Sequence, residues 1–274
     1  MNFKIIKKIL PHKIYENIKK IYQSVYFYKA RNYNLQKDLD HNEDLLHSIG
    51  MDIGKIKLNL DKFGYNYFDE NLSWHYHLFA GLNQVFDNKK INILEIGTHD
   101  GSFTNFLSKI FSQSFITTID LDDIDEQFLH SYKRDDNKIL NQFLETRNSN
   151  IKRDNISFIK LNSIHIKKYF KDVKFDIIWI DGDHLNPQVT IDIINSLDLI
   201  NENGIICLDD VIKNKKFKRN DLVSNESYQT ISHLEKNQVI KNCYLNKRIR
   251  KKNFYNKKYV SLSFFLKKNF FKSL

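Results

Sequence analysis

Short, continuous apolar runs alternate with longer segments of helical periodicity from residue 91 onward. Continuous apolar runs are typical of strands buried on both faces, as in a parallel sheet that is covered by helices. The pattern therefore predicts an α/β domain with a doubly wound sheet. The predicted strands are 91–97, 115–121, 156–162, 175–181 and 205–210. The predicted helices lie near 102–112, 124–150, 164–171 and from Pro187 to the turn at 201–204, the last with Asn186 as its N-cap.

The two ends of the chain carry further predicted elements. Residues 239–249 and 258–268 are predicted to form a terminal hairpin, with one strand antiparallel to the rest of the sheet. Residues 12–30 place apolar side chains at helical spacing between lysines, which predicts a basic amphipathic helix. Such a helix packs on its own domain, on a second copy of the chain or on a membrane surface, and the sequence leaves these alternatives open.

The segment between residues 31 and 86 is less regular. Residues 31–60 are predicted to be polar and irregular, with one short helix and a turn at 43–58. Residues 70–86 are predicted to be a helix that Asn71 or Ser73 could cap. We therefore divide the chain into an N-terminal helical extension, 1–69, and a main domain, 70–274.

The net charge of +10 is unevenly distributed along the chain. Residues 1–40 carry 9 Lys and Arg against 3 Asp and Glu, and residues 241–274 carry 11 Lys and Arg with no acidic residue. The central segment is therefore acidic, whereas a nucleic-acid enzyme more often carries its positive charge around the reaction cleft. The basic ends leave open a peripheral contact with an anionic membrane.

Nothing in the sequence predicts a secreted or membrane-spanning protein. No apolar run approaches the ~20 residues that a bilayer requires, and residues 1–13 lack the long apolar segment of a signal peptide. The two cysteines, Cys207 and Cys243, have the spacing of neither a disulfide framework nor a zinc site. We expect a cytoplasmic protein.

The first predicted strand runs into a glycine-containing turn, 95-EIGTHDGS-102. An acidic residue, Asp120, ends the second strand 19 residues after Gly101, which is the layout of a doubly wound nucleoside-binding fold. The turn departs from the G-x-G-x-x-G pattern, because His99 replaces the middle glycine and Glu95 adds a negative charge. Both features disfavour a diphosphate, so a ligand with a ribose and positively charged groups fits better. His99 is expected to be a polar wall of this loop.

The run LEIGTHDGS, the acid after the second strand and the terminal hairpin resemble class I S-adenosylmethionine-dependent methyltransferases over about residues 70–268. The resemblance implies a Rossmann-like sheet of seven strands and S-adenosylmethionine as the cofactor. It places the ribose contact at Asp120, with Asp122 and Asp123 as near alternatives. The cofactor-binding residues that it implies are Glu95, Gly97, Thr98, Gly101, Ser102, Asp120, Asn162 and Asp181.

Two predicted strands end in carboxylates, one in 181-DGDH-184 and the other in Asp209 and Asp210. In the strand order of the methyltransferases these strands are neighbours, so Asp181, Asp209 and Asp210 are expected to converge. Such a cluster is repulsive unless a cation compensates it, and an all-oxygen site suits Mg²⁺. The alternatives are a metal-free site, in which the acids hold the cofactor amine or the substrate, and solvated loop acids. Asp183 is expected to be a turn residue.

The spacing D-G-D-H followed by D-D resembles a metal-dependent O-methyltransferase subgroup that includes enzymes acting on macrolide and surface-polysaccharide sugars. The resemblance implies that Asp181, Asp209 and Asp210 hold a divalent metal, Mg²⁺ by preference. It also implies that His184 is the general base, removing the proton of an acceptor hydroxyl whose pKa the metal has lowered.

The first functional hypothesis is therefore an S-adenosylmethionine-dependent O-methyltransferase that acts on a sugar or another small molecule, with surface-polysaccharide biosynthesis as one context. A non-catalytic or membrane-recruited accessory protein on the same scaffold is the alternative. A nucleic-acid methyltransferase that uses the basic stretch 247–258 comes third, because the sequence has no N/D-P-P-Y-type motif and no Pro-Cys nucleophile.

Aromatic and histidine side chains cluster just upstream of the first predicted strand, in 73-SWHYH-77. His75 and His77 could line a substrate pocket, whereas Trp74 and Tyr76 are expected in the core.

Overall fold

One seven-stranded mixed sheet forms the centre of the fold. Its strands are β1 Asn92–Ile96, β2 Phe115–Asp120, β3 Ile156–Lys160, β4 Phe175–Ile180, β5 Ile200–Val211, β6 Ile240–Asn246 and β7 Tyr259–Phe265. Their order is β3-β2-β1-β4-β5-β7-β6, in which β1 to β5 are parallel and β7 is antiparallel to both β5 and β6. The predicted doubly wound α/β fold with its terminal antiparallel hairpin is confirmed.

The computed structural model describes residues 10–30, 33–86, 89–214, 223–250 and 257–265. Helices cover both faces of the sheet or precede it in the chain. The α-helices described are α1 His12–Ala30, α2 Leu35–Ser48, α3 Ile53–Lys62, α4 Trp74–Val85, α5 Ser102–Ile110, α6 Glu126–His130, α7 Asn137–Asn150, α8 Ile166–Tyr169, α9 Gln188–Leu199 and α10 Glu226–Lys236. Short 3-10 turns lie at Ser131–Lys133 and Ser163–His165.

The prediction that residues 31–60 are largely irregular is wrong. The helices α2 and α3 occupy most of this segment, and each begins at a capping side chain. Asn34 accepts from the backbone N–H of Lys37, and Asp52 accepts from that of Lys55. Caps of this kind stabilise helix starts, and the buried apolar side chains of α2 and α3 supply the remaining stability, which the polar composition concealed.

The single charged helix predicted near 124–150 is two helices. The helical backbone is interrupted between α6 and α7, where Tyr132 and Lys133 adopt positive φ angles of 56° and 62°. Separate caps begin the two helices, at Asp125 and at Asp136. Residues other than glycine rarely adopt positive φ angles, so the sequence pattern carried no signal of this break.

Two predicted helix caps differ from the structure. The side chain of Asn186 accepts from the Thr190 hydroxyl at 2.6 Å, and Pro187 holds the N-cap position of α9. Ser73 does precede α4, but its hydroxyl pairs with Nδ1 of His75 at 2.9 Å and caps no backbone N–H. Residues 201–204, predicted as a turn, fall within β5.

Apolar side chains fill both faces of the sheet. Along β4, Ile177 and Trp179 face one core, and Ile178 and Ile180 face the other, as the two-residue period of a strand requires. The helices α2 to α5 pack on the first face, and α8 to α10 pack on the second. Because α2 and α3 share a core with the sheet, these two helices of the predicted N-terminal extension pack on the main domain; the boundary at residue 69 stays a prediction.

The role of the basic helix α1 stays open. Ile21 is 65% exposed and Val25 is 47% exposed on this helix. None of the described helices combines the length and the apolar character that crossing a membrane requires.

Candidate functional site

A cleft of about 1360 Å³ opens at the carboxyl ends of β1, β2, β4 and β5. In a doubly wound sheet this edge is where ligands bind, next to the point where the strand order reverses. The cleft brings together every predicted site residue except Gly101. The lining residues among those predicted are Glu95, Gly97, Thr98, Ser102, Asp120, Asn162, Asp181, His184, Asp209 and Asp210.

The glycine turn after β1 is shaped by two positive φ angles. Gly97 has φ +100°, and a Cβ there would lie 2.4 Å from the carbonyl oxygen of Asp181. Gly101 has φ +73° and immediately precedes α5, where a Cβ would meet Ile151 at 2.8 Å. Only glycine suits these positions, because other residues carry a Cβ and rarely adopt these angles. Gly97 therefore lies in the lining of the cleft, whereas Gly101 lies outside the lining and faces Ile151.

Glu95 is buried below the turn and is not a free charge. The hydroxyls of Thr104 and Thr118 both donate to its Oε2 at 2.5 Å. Burial raises the pKa of Glu95 to about 8, although these two hydrogen bonds act in the opposite direction. Burial therefore favours the neutral, protonated carboxyl, whereas the sequence analysis expected a negative charge at Glu95. Thr98 joins this network through a 2.7 Å bond to the Thr118 hydroxyl.

Asp120 is the acid that lines the cleft at the end of β2. Its Oδ2 accepts from the backbone N–H of His99 at 2.8 Å, and its Oδ1 accepts from that of Leu121 at 2.8 Å. Each carboxylate oxygen can accept a second bond, so both remain able to contact a ligand. Burial raises the pKa of Asp120. The alternative ribose-binding acids, Asp122 and Asp123, do not line the cleft. Asp123 forms an ion pair with Arg147 at 2.7 Å.

Arg134 forms a part of the cleft wall that the sequence did not predict. Its guanidinium lies 4.0 Å from the ring centroid of Phe143 and 4.2 Å from that of Phe128. His99 also lines the cleft, and its ring makes an edge contact with Phe143 at 5.3 Å; its role as a polar wall stays a prediction. Because Arg134 follows the irregular turn at Tyr132, no periodic signal marked it.

His184 and Asp181 form a pair at the end of β4. Nε2 of His184 lies 3.5 Å from Oδ1 of Asp181. Burial opposes the charge on His184, but the Asp181 carboxylate outweighs it and raises the pKa of the imidazole. Burial and then the charge of Asp209 raise the pKa of Asp181. Asp183 accepts from the backbone N–H of Leu185 at 2.9 Å, in agreement with its predicted turn role.

Asp209 and Asp210 project from a bulge in β5. Leu208 pairs with Ser261 and Val211 with Tyr259, so two residues of β5 face a single residue of β7. Asp210 adopts φ 50°, a left-handed backbone angle that bulges accommodate. The bulge allows both neighbouring carboxylates to reach the same side-chain partner.

That partner is a lysine from the terminal hairpin. Nζ of Lys247 donates to Oδ2 of Asp209 and, at 2.5 Å, to Oδ1 of Asp210. Nζ of Lys258 donates to Oδ2 of Asp210. We call Asp209, Asp210, Lys247 and Lys258 the acid–lysine cluster. Burial works against all these charges, but their attraction outweighs it: the pKa of Asp209 lies well below its usual range, and that of Lys247 lies above.

The sequence analysis missed both lysines, although the predicted topology contained a signal for them. Lys247 directly follows β6, and Lys258 directly precedes β7. Because β7 runs antiparallel to β5, its first residues lie beside the last residues of β5. A basic residue at the loop end of the hairpin is therefore expected near Asp209 and Asp210.

The described residues do not fit the divalent metal that the sequence predicted. An ion bound to Asp210 Oδ1 at about 2.1 Å would lie within about 5 Å of the Lys247 ammonium, which repels it. Asp181 pairs with His184 instead of completing a site with Asp209 and Asp210. Within the described ranges, no group of three or more His, Cys, Asp or Glu side chains is arranged to hold a metal.

The two histidines of α4 have different surroundings. His75 lines the cleft, and its Nδ1 lies 3.9 Å from Oδ1 of Asp209. His77 lies in the core, where Nε2 contacts the Tyr67 carbonyl at 2.9 Å and burial lowers the pKa to about 4. His77 is therefore excluded as a pocket residue. Trp74 stacks on His77 in the core as predicted, whereas Tyr76 also lines the cleft.

Residues 94–211 match a family model described as a methyltransferase domain. The matched segment is less than half of the 274-residue chain and extends from β1 to the end of β5. No curated protein matches the sequence significantly. Over this segment the chain is therefore similar to a methyltransferase domain, in agreement with the class that the sequence predicted.

Three solved structures show distant similarity. An O-methyltransferase from Bacillus cereus in complex with SAH has TM-score 0.47 and 17% identity, over 85% of this chain and 100% of that chain. The O-methyltransferase TomG from Streptomyces achromogenes has TM-score 0.49 and 13% identity, over 84% and 96%. An rRNA methylase from Streptococcus thermophilus has TM-score 0.44 and 12% identity, over 68% and 95%. At TM-scores below 0.5 these similarities carry no weight for function.

Proposed function

We propose that the protein is an S-adenosylmethionine-dependent O-methyltransferase acting on a hydroxyl group of a sugar or another small molecule. The observation that carries the proposal is the position of the His184–Asp181 pair in the same cleft as the glycine turn and Asp120. A base beside a cofactor site is what O-methylation needs, because an acceptor hydroxyl must lose its proton. The sugar preference rests on the resemblance of the D-G-D-H and D-D motifs alone.

The acidic residues that line the cleft suit S-adenosylmethionine in charge. The missing Cβ at Gly97 lets the backbone of the turn pack against Asp181, so that the turn and the end of β4 lie together in the cleft. Asp120 is positioned to accept from ribose hydroxyls, and the carboxylate of Asp181 suits the positively charged groups of the cofactor. Asn162 also lines the cleft, although its Oδ1 already accepts from the backbone N–H of Ile164 at 3.0 Å.

When bound, S-adenosylmethionine supplies an electrophilic methyl group on a sulfonium. The residues of this chain then orient the acceptor and remove its proton. His184 accepts the hydroxyl proton at an imidazole nitrogen, and the carboxylate of Asp181 stabilises the imidazolium that forms. No divalent metal enters this proposal, because Lys247 and Lys258 already neutralise Asp209 and Asp210.

The first test is calorimetric titration of S-adenosylmethionine into the full chain and into Asp120→Ala. The wild type should bind. Asp120→Ala should bind at least about tenfold more weakly, because a tenfold loss of affinity corresponds to ~1.4 kcal/mol of lost binding free energy. Asp122→Ala removes an acid two residues away, outside the cleft lining, and is the matched control. A wild type that binds neither S-adenosylmethionine nor S-adenosylhomocysteine would refute the proposal.

Methyl transfer is then tested with a panel of acceptors. Free sugars, nucleotide-linked sugars, catechols and RNA are each incubated with the protein and labelled S-adenosylmethionine, and S-adenosylhomocysteine release is measured. Transfer to a sugar hydroxyl supports the proposal, and transfer to RNA alone supports the nucleic-acid alternative. Part of the basic stretch 247–258 lies outside the described residues, as do residues 1–9, so nucleic-acid and membrane contacts stay predictions.

A further inference from the structure

We infer that Lys247 is the built-in cation of this site and stands where a divalent metal was expected, so that the protein needs no metal. The inference deepens the proposed function and rests on it for its meaning in catalysis. Its structural basis is the acid–lysine cluster, in which three of the four carboxylate oxygens of Asp209 and Asp210 accept from a lysine ammonium.

Three of the four side chains of the cluster are largely enclosed by the fold, whereas that of Lys258 is 35% exposed. The side chain of Lys247 is 11% exposed, and those of Asp209 and Asp210 are 4% and 13% exposed. In such surroundings water screens the charges weakly, and a charge left without its partner is strongly unfavourable. Displacing Lys247 by a metal would therefore leave an unpaired ammonium in the protein interior.

The backbone fixes the lysine in place. The backbone N–H of Lys247 donates to the Lys258 carbonyl at 2.9 Å, and its own carbonyl accepts from the N–H of Trp74 at 2.8 Å. These bonds attach the residue to β7 on one side and to the start of α4 on the other. Lys247 is thus part of the hairpin and of the cleft wall, and its position does not depend on a bound ion.

The arrangement has a consequence for the acceptor. A metal-assisted mechanism favours substrates that chelate through two neighbouring oxygens, whereas an ammonium donates single hydrogen bonds. Lys247 has three N–H donors, of which two are used by Asp209 and Asp210, and the residue lines the same cleft as His184. An acceptor with one hydroxyl and no chelating neighbour is therefore sufficient.

The test is Mn²⁺ binding by the chelator-treated full chain, measured by electron paramagnetic resonance as loss of the free-ion signal. The wild type should show no saturable Mn²⁺ site. Lys247→Met, which removes the one lysine shared by both carboxylates, should gain one saturable site, and added Mn²⁺ should raise its melting temperature. Lys257→Met is the matched control, because Lys257 is also a lysine of the hairpin but pairs with Asp38 at 2.5 Å.

A wild type that binds one Mn²⁺ saturably, with the site lost in Asp209→Asn, would overturn the inference. So would a folded Lys247→Met that gains no site. If Lys247→Met does not fold, the wild type and Asp209→Asn still decide the question. S-adenosylmethionine is titrated into the same metal-free protein, so that failure to bind it refutes the proposed function while the Mn²⁺ result independently decides the role of Lys247.

Discussion

Gly97 and Asp181 are in backbone contact at the ends of the two central strands, and a Cβ on Gly97 would lie 2.4 Å from the Asp181 carbonyl oxygen. The contact joins the turn that is predicted to hold the cofactor to the end of β4. That strand end carries Asp181, which pairs with the proposed general base His184. Neither backbone can move without moving a strand of the parallel sheet, because β1 and β4 are hydrogen-bonded neighbours.

Gly97→Ala should therefore lower the free energy of unfolding by on the order of 3 kcal/mol and abolish measurable S-adenosylmethionine binding. Gly64→Ala is the control, because Gly64 has a similar φ of +80° but no atom within 4 Å of the added Cβ. It should cost only the conformational term of about 1 kcal/mol. Chemical denaturation of both variants measures the difference, and equal losses would show that the contact is unimportant.

Glu95 should make the stability of the protein pH-dependent. The pKa of Glu95 is about 8 in the folded state, above its usual 4.5, so the folded protein holds a proton that the unfolded chain releases between these values. The free energy of unfolding should therefore fall as the pH rises from about 4.5 to about 8, by at most about 1.4 kcal/mol per pH unit.

Glu95→Gln should flatten this dependence, because the amide remains neutral throughout. The wild type and Glu95→Gln are compared by their denaturant midpoints at about pH 5, 6.5 and 8, which roughly span the interval between the two pKa values. Glu126→Gln, at an exposed glutamate in the first turn of α6, should keep the slope of the wild type. An unchanged slope in Glu95→Gln would mean that another group controls it.

His184 should make methyl transfer depend on pH. The Asp181 carboxylate raises the pKa of His184 above its usual 6.5, and only the neutral imidazole accepts a proton. The rate should rise with pH through this raised pKa, and Asp181→Asn should move the rise to lower pH.

The rate in His184→Ala should fall by roughly 10²- to 10⁴-fold and lose this pH dependence. His165→Ala, at an exposed histidine outside the cleft lining, is the control and should keep the profile of the wild type. S-adenosylhomocysteine release across the pH range, with the best acceptor found, provides the measurement. A profile that His184→Ala leaves unchanged would assign the base elsewhere.

Lys247→Met should destabilise the protein strongly. Removing one partner of an enclosed ion pair leaves carboxylates without compensation and typically costs about 3–5 kcal/mol. The triple variant Asp209→Asn, Asp210→Asn, Lys247→Met removes the charges together and should recover a large part of that loss.

The exposed pair between Lys167 and Asp198, at 2.6 Å, offers a comparison, since both side chains are at least half exposed. Lys167→Met should cost less than about 1 kcal/mol. Urea denaturation of the four proteins, the wild type included, gives the free energies. If Lys247→Met costs no more than Lys167→Met, the cluster contributes little to stability.

The sequence determined the parts of this protein that depend on local periodicity. Apolar runs predicted the five parallel strands and the terminal hairpin, because burial on both faces of a sheet leaves a continuous signal. The glycine turn and Asp120 were predictable for a similar reason, since a tight βα turn requires glycine at fixed positions. The acids at the ends of β4 and β5 were located correctly along the chain.

Only the tertiary structure decided what those acids do. The helix break at Tyr132 lies just before Arg134 in the cleft wall, and burial of Glu95 favours its neutral form, but neither effect has a periodic signature. The bulge at Asp210 and the antiparallel β7 bring Lys247 to Asp209 across 38 residues of sequence. The ionisation of a carboxylate and its choice of cation depend on which charges lie within a few ångströms, and the fold alone sets those distances.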